Sequence, residues 1–400
     1  MVNQTFYDLG TAPSVIRRLF AYGLEQAKIV GRENVFDYSL GNPSIPAPKK
    51  VNESIHKLVD ETDSIQLHGY SMAPGFEEPR AAIAADLSRR FGLDIRSSEL
   101  FLTCGAAPAL ISVIKALVVD GDSEIMVIAP FFPEYAPFIT ANGGKMVVVP
   151  ADTNAFQVQL DEVEQRITPH TQAIIVNSPN NPSGVVYTEE TLRGLAVLLE
   201  RKSAEYGHPI YIIADEPYRE LVYGDVTVPF IPCLYRNTIV CYSYSKSLSL
   251  PGERIGYLVI PDEVDESGEL ITAASIANRV LGCVNAPSLI QKVIQYCIRH
   301  KVTVNVEAYE KNRDLLYHAL KEDGFTCAKP DGAFYLFVKS PVADEKEFCE
   351  TAKKHHVLMV PGSSFACPGY VRIAYCVSHE QIERSLPAFR EIAREYGLLK

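Results

Sequence analysis

The sequence has no excess of basic residues. Its 400 residues carry 38 Lys and Arg against 49 Asp and Glu, for a formal net charge of -11. Proteins that bind the backbone of nucleic acids neutralise phosphates with clustered Lys and Arg, so this balance argues against such a binder. We therefore expect no nucleic-acid partner. A small anionic ligand held by a few arginines stays compatible with this charge.

The sequence also lacks paired cysteines. Nine cysteines are scattered from Cys104 to Cys376, an odd number without a C-x-x-C pair. This pattern fits neither a zinc framework nor a disulfide framework, and we predict no metal site. Free thiols are typical of a reducing compartment, which favours a cytoplasmic protein.

Signals for export or membrane insertion are missing as well. Met1 to Leu9 show no basic segment followed by an apolar run, so we expect no signal peptide. No apolar stretch approaches the roughly 18 residues that span a bilayer, so we expect no membrane partner.

What the sequence does contain is the pattern of a two-domain α/β protein. Hydrophobic residues make up 47% and charged residues 22% of a chain that is too long for one simple core. Short apolar runs alternate with longer amphipathic segments such as Pro108–Val118 and Glu189–Ala204, which predicts a mostly parallel seven-stranded sheet flanked by helices. The predicted strands are Leu100–Thr103, Ile125–Ala129, Met146–Val149, Ala173–Val176, Tyr211–Ala214, Thr238–Tyr242 and Ile255–Ile260.

The rest of the chain predicts a smaller unit. Pro287 to about Lys321 offers few helix breakers and predicts one long helical stretch, either straight or bent. Gly324–Val338 predicts strands, and Gln381–Tyr396 predicts a final helix. We expect a large α/β domain over residues 50–300 and a smaller α+β domain formed by both chain ends, residues 1–49 and 301–400.

Polar groups collect directly after several predicted strands. These segments are Cys104–Ala107, Asn177–Gly184, Asp215–Tyr218 and Ser243–Arg254. In open α/β sheets, ligands bind at the carboxyl ends of the strands. We therefore expect a ligand site at this edge of the sheet.

The residue types in these segments suit one kind of chemistry. A small-residue turn that opens a helix offers N–H groups to a phosphate, and Ser243 and Arg254 add a hydroxyl and a guanidinium fork. Asp215 can hold a protonated ring nitrogen, and Lys246 can form a Schiff base once it is neutral. An imine-forming amine, a carboxylate for the pyridine nitrogen and a phosphate anchor are the parts that pyridoxal 5'-phosphate (PLP) requires.

Six segments in register resemble one known family. They are similar to motifs of the class I/II PLP-dependent aminotransferases, which have the aspartate-aminotransferase fold, and the resemblance covers about residues 11–390. One such motif alone would be a weak signal, and six in the same order are a strong one. The segments are Ser243–Tyr257, Asn177–Gly184, Asp215–Tyr218, Leu40–Pro43, His68–Tyr70 with Gly75–Arg80, and Pro361–Gly362 with Val371–Ile373.

The resemblance implies a PLP-dependent transferase fold and a role for each matching residue. Lys246 carries the cofactor as a Schiff base and moves the substrate proton, Asp215 pairs with the pyridinium, and Tyr218 completes the catalytic set. The cofactor contacts are Asn181 and Tyr218 on the ring oxygen, Phe132 on the ring face, and Gly105, Ala106, Ala107, Ser243 and Arg254 at the phosphate.

The resemblance also implies the substrates and the assembly. Arg372 grips the substrate α-carboxylate, with Gly41 and Asn181 nearby. Tyr70 reaches the phosphate of the neighbouring subunit, which implies a homodimer with shared active sites. The activity is the transfer of an amino group from an L-amino acid to a 2-oxo acid in a ping-pong cycle.

Three positions depart from the family pattern. The phosphate turn reads Gly105-Ala106-Ala107, where many relatives have a hydroxyl or Gln, so this turn supplies only amides. Phe132 stands where Tyr or Trp is common, and Ala366 where Gly is frequent. None of these changes removes a chemical group that the reaction needs.

Other functions compete with this prediction. A C–S lyase or an enzyme like aminocyclopropane-carboxylate synthase shares the same cofactor contacts and stays open. Ser243-x-x-Lys246 matches the S-x-x-K of β-lactamases and penicillin-binding proteins, but the order of motifs is reversed and no K-T-G follows. A transcription regulator on this fold would need an added basic DNA-binding segment. An absorption scan separates the PLP enzymes from the last two classes, since only the PLP enzymes are expected to show a cofactor band.

Overall fold

The computed structural model describes residues 1–11 and 14–399. Within these residues the chain forms thirteen strands and fifteen α-helices. The strands are β1 (Phe36–Asp37), β2 (Leu100–Thr103), β3 (Glu124–Ile128), β4 (Lys145–Val149), β5 (Thr171–Asn177), β6 (Tyr211–Asp215), β7 (Thr238–Ser243), β8 (Gly256–Val259), β9 (Thr326–Cys327), β10 (Tyr335–Lys339), β11 (Val357–Leu358), β12 (Val360–Pro361) and β13 (Tyr370–Ala374). The helices are α1 (Gln4–Thr11), α2 (Val15–Val30), α3 (Lys49–Glu61), α4 (Ser64–His68), α5 (Glu77–Phe91), α6 (Ala106–Leu117), α7 (Tyr135–Thr140), α8 (Leu160–Arg166), α9 (Glu189–Tyr206), α10 (Tyr244–Ser247), α11 (Ser267–Val280), α12 (Ser288–Arg299), α13 (Val306–Glu322), α14 (Glu345–Lys354) and α15 (His379–Glu395).

A seven-stranded sheet forms the centre of the protein, in the order β2-β8-β7-β6-β5-β3-β4. Strand β8 runs antiparallel to its neighbours β2 and β7, and the other neighbouring pairs are parallel. The prediction of a mostly parallel seven-stranded sheet is confirmed. All seven predicted strands belong to it, and their ends are shifted by at most two residues.

Both faces of this sheet are covered by helices. Ile174 and Val176 of β5 join one apolar cluster with side chains of α5, α9 and α12. Ala173 and Ile175, which point to the opposite face, join a second cluster with side chains of α6 and α11. Since helices cover both faces, the middle of each strand is apolar on both sides, which explains the short apolar runs in the sequence.

A second, smaller sheet brings together segments from the C-terminal part of the chain. It is antiparallel, with the order β12-β13-β10-β9, and β1 pairs in parallel with β11 beside it. Phe36 from the N-terminal part shares a core cluster with Leu316, Phe348 and Ile382. The two chain ends therefore pack together, while the domain limits at residues 50 and 300 stay a prediction.

The single helix predicted over Pro287–Lys321 is wrong, because two helices, α12 and α13, occupy this stretch. Lys301 has a left-handed backbone with φ 50°, and the Asn305 side chain accepts a hydrogen bond from the Ala308 N–H at the start of α13. Between them the Val304 N–H donates to the Ser247 carbonyl at 3.1 Å. Asn is a common N-cap residue, so Asn305 was the signal for this break.

The other predicted elements are present with small changes. Gly324–Val338 contains β9 and most of β10, and the final helix is α15. In the part of the chain that the structure describes, no helix is long and apolar enough to cross a membrane. Over the same residues, no group of three or more His, Cys, Asp or Glu side chains is placed to hold a metal ion.

Candidate active site

A cavity of about 390 Å³ opens at the carboxyl ends of β5, β6 and β7. It also receives residues from α2, β10 and β13. Eleven of the thirteen predicted site residues line it, namely Gly41, Ala106, Ala107, Phe132, Asn181, Asp215, Tyr218, Ser243, Lys246, Arg254 and Arg372. Residues far apart in the sequence are thus gathered at the edge of the sheet where a ligand was predicted.

Lys246 lies on α10, directly after β7. Ser243 begins this short helix, because its side chain accepts a hydrogen bond from a backbone N–H of the first turn. The Lys246 Nζ donates to the Gly41 carbonyl at 2.7 Å. Burial lowers the pKa of Lys246 to about 8, and the Arg372 and Arg254 guanidinium groups act in the same direction. Near neutral pH, about a tenth of these amines is therefore neutral, far more than for an ordinary lysine.

Asp215 ends β6 and is buried. Its Oδ2 accepts a hydrogen bond from the Tyr135 hydroxyl at 2.5 Å, and Asn177 Nδ2 donates to the Asp215 backbone carbonyl at 2.8 Å. Asp215 Oδ1 is buried without a hydrogen-bond partner among the described residues. Burial raises the pKa of Asp215 to about 7, and the Tyr135 hydrogen bond opposes this rise. A buried carboxylate oxygen without a partner is costly, so this oxygen suits a cation or a hydrogen-bond donor in the cavity.

The residues predicted to bind phosphate surround the start of α6. Gly105 precedes this helix with φ 102°, and Ala106 and Ala107 form its first turn, where backbone N–H groups have no helical acceptor. The positive φ favours glycine at this position, and a Cβ here would lie 2.8 Å from Arg254 Nη2, so the guanidinium packs closely against the turn. Arg254 donates to the Pro251 carbonyl at 3.0 Å, which fixes the guanidinium beside the turn.

Arg372 lies on β13 and is only 2% exposed. Its Nη1 donates to Asn181 Oδ1 at 3.0 Å and its Nη2 to the Ser39 carbonyl at 2.6 Å. The Tyr335 and Phe365 rings pack against the guanidinium, with centroids 4.7 and 4.8 Å from Cζ. All of these partners are neutral, and the buried Nε has no partner among the described residues. A desolvated guanidinium held only by neutral groups suits a carboxylate of a ligand.

Residues 33–389 match the family described as aminotransferase class I and II. The chain belongs to this family. It is 30% identical to aromatic-amino-acid aminotransferase 2 of Thermococcus litoralis, with 97% of each chain covered. It is 32% identical to the aspartate aminotransferase of Thermotoga maritima, with 90% of this chain and 92% of that protein covered.

Solved structures agree with the family assignment. A crystal structure of an amino transferase from Eubacterium rectale is similar to this chain with a TM-score of 0.97 and 54% identity, covering 99% of each chain. The aspartate aminotransferase of Thermus thermophilus with maleate gives a TM-score of 0.85 at 26% identity, covering 98% of this chain and 100% of that one. The prediction of an aminotransferase with this fold is confirmed.

Three further residues of the aminotransferase that are predicted to contact the cofactor ring are held by their neighbours. Tyr218 is buried, and its hydroxyl lies 2.9 Å from the Tyr335 hydroxyl. The Asn181 backbone N–H donates to Asn177 Oδ1 at 2.8 Å. Phe132 lines the cavity, and its ring meets the Tyr135 ring edge-on, with 5.7 Å between the centroids. Their individual roles toward a cofactor stay predictions.

Two of the predicted site residues of the aminotransferase, Gly105 and Tyr70, do not line the cavity. Gly105 lies directly behind the wall that Ala106 and Arg254 form. Tyr70 lies outside, in the loop after α4, and is 94% exposed. The chain by itself does not bring Tyr70 to the site, so its contact with a neighbouring subunit stays a prediction.

The cavity of the aminotransferase contains further residues that the sequence reasoning missed. Asn177 and Ser245 lie inside the quoted motifs, so their position next to a predicted site residue was a usable signal. Tyr335 and the α2 residues come from distant parts of the chain, and no local pattern marked them. The missed residues are Ser14, Ile16, Arg17, Leu40, Leu110, Glu134, Asn177, Pro217, Ser245, Pro251 and Tyr335 on the cavity wall and Tyr135 behind Asp215.

Proposed function

We propose that this aminotransferase uses PLP, held through Lys246, to move an amino group between an L-amino acid and a 2-oxo acid. The observation that carries the proposal is the unpartnered Asp215 Oδ1, which is buried beside the cavity that the Lys246 amine enters. A protonated pyridine nitrogen would be a fitting partner, and its charge would favour the ionised carboxylate. When bound, PLP supplies a carbonyl carbon that accepts the amino group and a ring that takes up electrons from the substrate.

The same cavity offers contacts for the other parts of PLP. Backbone amides at the start of α6, a hydroxyl and a guanidinium suit the phosphate, and a phenol, an amide and an aromatic ring suit the pyridine ring. These residues are Ala106, Ala107, Ser243 and Arg254 for the phosphate, Tyr218 and Asn181 for the ring oxygen, and Phe132 for the ring face. Gly105 supports this set by leaving room for Arg254.

Arg372 would hold the substrate α-carboxylate. Its hydrogen-bond partners, the Asn181 side chain and the Ser39 carbonyl, are both neutral, so the positive charge of the guanidinium is not balanced by them. A planar fork binds both oxygens of a carboxylate, and every amino acid and 2-oxo acid has this group. Gly41 lies on the same wall, where its carbonyl accepts the Lys246 hydrogen bond. The anchor for the carboxylate and the amine that acts on the α-carbon are therefore neighbours.

Lys246 would move the proton at the substrate α-carbon. Its neutral amine accepts a proton there, and its ammonium form returns one. A pKa of about 8 keeps both forms accessible near neutral pH. Because one cavity serves both substrates, the first amino acid leaves as a 2-oxo acid before the second 2-oxo acid binds, which is a ping-pong cycle.

A homodimer with shared active sites is part of the proposal. Tyr70 is 94% exposed, and the apolar Met72 and Val284 nearby are 79% and 45% exposed. Asn285 links the loop of Val284 to the loop of Met72 by donating a hydrogen bond to the Met72 carbonyl at 3.0 Å. The Asn285 carbonyl in turn lies 3.8 Å from the sulfur of Cys104, which directly precedes the phosphate turn. An apolar surface beside the site supports an interface there.

We also propose a cytoplasmic location and the two domains predicted above. All nine cysteines are free thiols, as expected in a reducing compartment. The separate core clusters of the large sheet and of the smaller sheet support two domains. Limited proteolysis followed by mass spectrometry tests the domain limits, with cleavage expected near residues 50 and 300.

A donor panel tests the proposed function. The protein loaded with PLP is mixed with a 2-oxo acid and single amino donors, including aspartate and aromatic amino acids because relatives carry those names. Mass spectrometry should find the donor's 2-oxo acid and the acceptor's amino acid in equal amounts. Product beyond one equivalent per active site in the absence of an acceptor would instead indicate a lyase or synthase reaction.

The variant Lys246→Ala gives the residue-level test. It should lose nearly all turnover and should no longer hold PLP in a form that borohydride traps. Lys292→Ala is a matched control, because Lys292 lies over the Phe76 ring outside the cavity. Normal turnover in Lys246→Ala would refute the role of this lysine.

A further inference from the structure

Tyr335 connects three residues to which roles are assigned above. Its hydroxyl lies 2.9 Å from the Tyr218 hydroxyl, and its ring lies against Arg372, 4.7 Å from centroid to Cζ. A Cβ at Gly41 would lie 2.2 Å from the Tyr335 oxygen, so the phenol occupies the space that a side chain at Gly41 would need. The carbonyl of that same glycine accepts the Lys246 hydrogen bond.

The Tyr335 side chain has little freedom. It is 2% exposed and lies on β10, directly beside β13, where it is paired with Ala374. The Tyr218 and Phe334 rings meet it edge-on, with centroids 5.7 and 4.9 Å away. A side chain locked by packing on a strand can hold its polar neighbours in a fixed geometry.

We propose that Tyr335 is a positioning residue with two separable effects. Its ring orients the Arg372 fork toward the substrate carboxylate. Its hydroxyl donates to the Tyr218 oxygen, so that the proton of Tyr218 is directed into the cavity. The inference rests on the proposed function, since it concerns how the cofactor and the α-carboxylate are held.

The direction of this hydrogen bond follows from the role that is proposed for Tyr218. Each hydroxyl has one proton, so only one member of the pair donates to the other. Burial raises the pKa of Tyr335 to about 12, and the Arg372 charge limits that rise. Burial raises the pKa of Tyr218 well above its usual value. Both phenols therefore keep their protons near neutral pH, and each has only one to donate. Because the proposed function gives the Tyr218 proton to the ring oxygen of the cofactor, the Tyr335 hydroxyl, 2.9 Å away, is the one that donates within the pair.

The two effects separate in two variants. Tyr335→Phe keeps the ring and removes the hydroxyl. We expect kcat to fall about tenfold and the cofactor-free protein to bind PLP several-fold more weakly, while KM for amino donors stays unchanged. Tyr335→Leu also removes the ring, so KM should rise about tenfold for all donors. Tyr375→Phe is the matched control, because it removes one hydroxyl from a buried pair with Tyr223, 3.2 Å apart, outside the cavity.

A double-mutant cycle decides whether the hydroxyl acts through Tyr218. If it does, the variant Tyr218→Phe/Tyr335→Phe should be no slower than Tyr218→Phe alone. Additive losses would overturn the inference, as would equal effects of Tyr335→Phe and Tyr375→Phe on kcat and PLP affinity. A wild-type protein that binds PLP but transfers no amino group would refute the proposed function instead, and the PLP titrations would still test Tyr335.

Discussion

Replacing Arg372 with lysine tests how substrates are held. Lysine keeps the positive charge but loses the planar fork. In this protein the fork is fixed by two hydrogen bonds, to Asn181 and to the Ser39 carbonyl, and by stacking between two aromatic rings. An ammonium group on a flexible stem cannot keep all of these contacts and also bind both carboxylate oxygens.

The size of the effect follows from the bonds that are lost. At least one hydrogen bond between the side chain and the substrate carboxylate disappears, and such a bond to a charged group contributes about 1.5–3 kcal/mol. Since about 1.4 kcal/mol corresponds to a factor of ten, kcat/KM should fall by about one to two decades. The loss should be similar for all amino donors and 2-oxo acids, because they share the α-carboxylate.

The assay is kcat/KM across several donors, with the cofactor absorption band recorded in parallel. The band should be unchanged, because Arg372 is proposed to hold the substrate and not the cofactor. Arg313→Lys is a matched control, because Arg313 is also buried against an aromatic ring, 4.5 Å from the centroid of Tyr223, but lies outside the cavity. A loss confined to acidic donors would mean that Arg372 reads the substrate side chain, and the reasoning would be wrong.

Three further predictions address the amine, the carboxylate and the assembly. Burial lowers the pKa of Lys246 to about 8, so the fraction of neutral amine increases as the pH rises through that value. The rate at which cofactor-free protein forms the borohydride-trappable bond to PLP should therefore reach half its maximum near pH 8. A midpoint near the ordinary lysine value of about 10.4 would contradict this. Asp215→Ala should still bind PLP but lower kcat by about two to four decades, since breaking a buried charge pair costs about 3–5 kcal/mol, and a near-native kcat would rule out the pairing with the ring nitrogen. Light scattering at micromolar concentration should report twice the chain mass of 44.3 kDa, and a fully active monomer would refute the role of Tyr70.

The positions of the central strands could be predicted from the local sequence. The strands of the central sheet are buried on both faces, so each is a short apolar run that ends where the first polar residue follows. That local rule located the strands within two residues. It also placed Asp215 and Lys246 at the carboxyl end of the sheet, because Asp215 is the last residue of β6 and Lys246 lies on the short helix after β7.

Only the tertiary structure decided how these segments meet. Arg372 and Asn181 are 191 positions apart and form a hydrogen bond, and Tyr135 reaches Asp215 across 80 positions. Tyr335 lies in an ordinary apolar strand pattern, and its contact with Tyr218 arises because β10 packs against the cavity. Residue periodicity reports which face of an element is buried, but it carries no record of which distant element covers that face. The strand ends were therefore readable in the sequence, and the hydrogen-bond partners that orient the site were not.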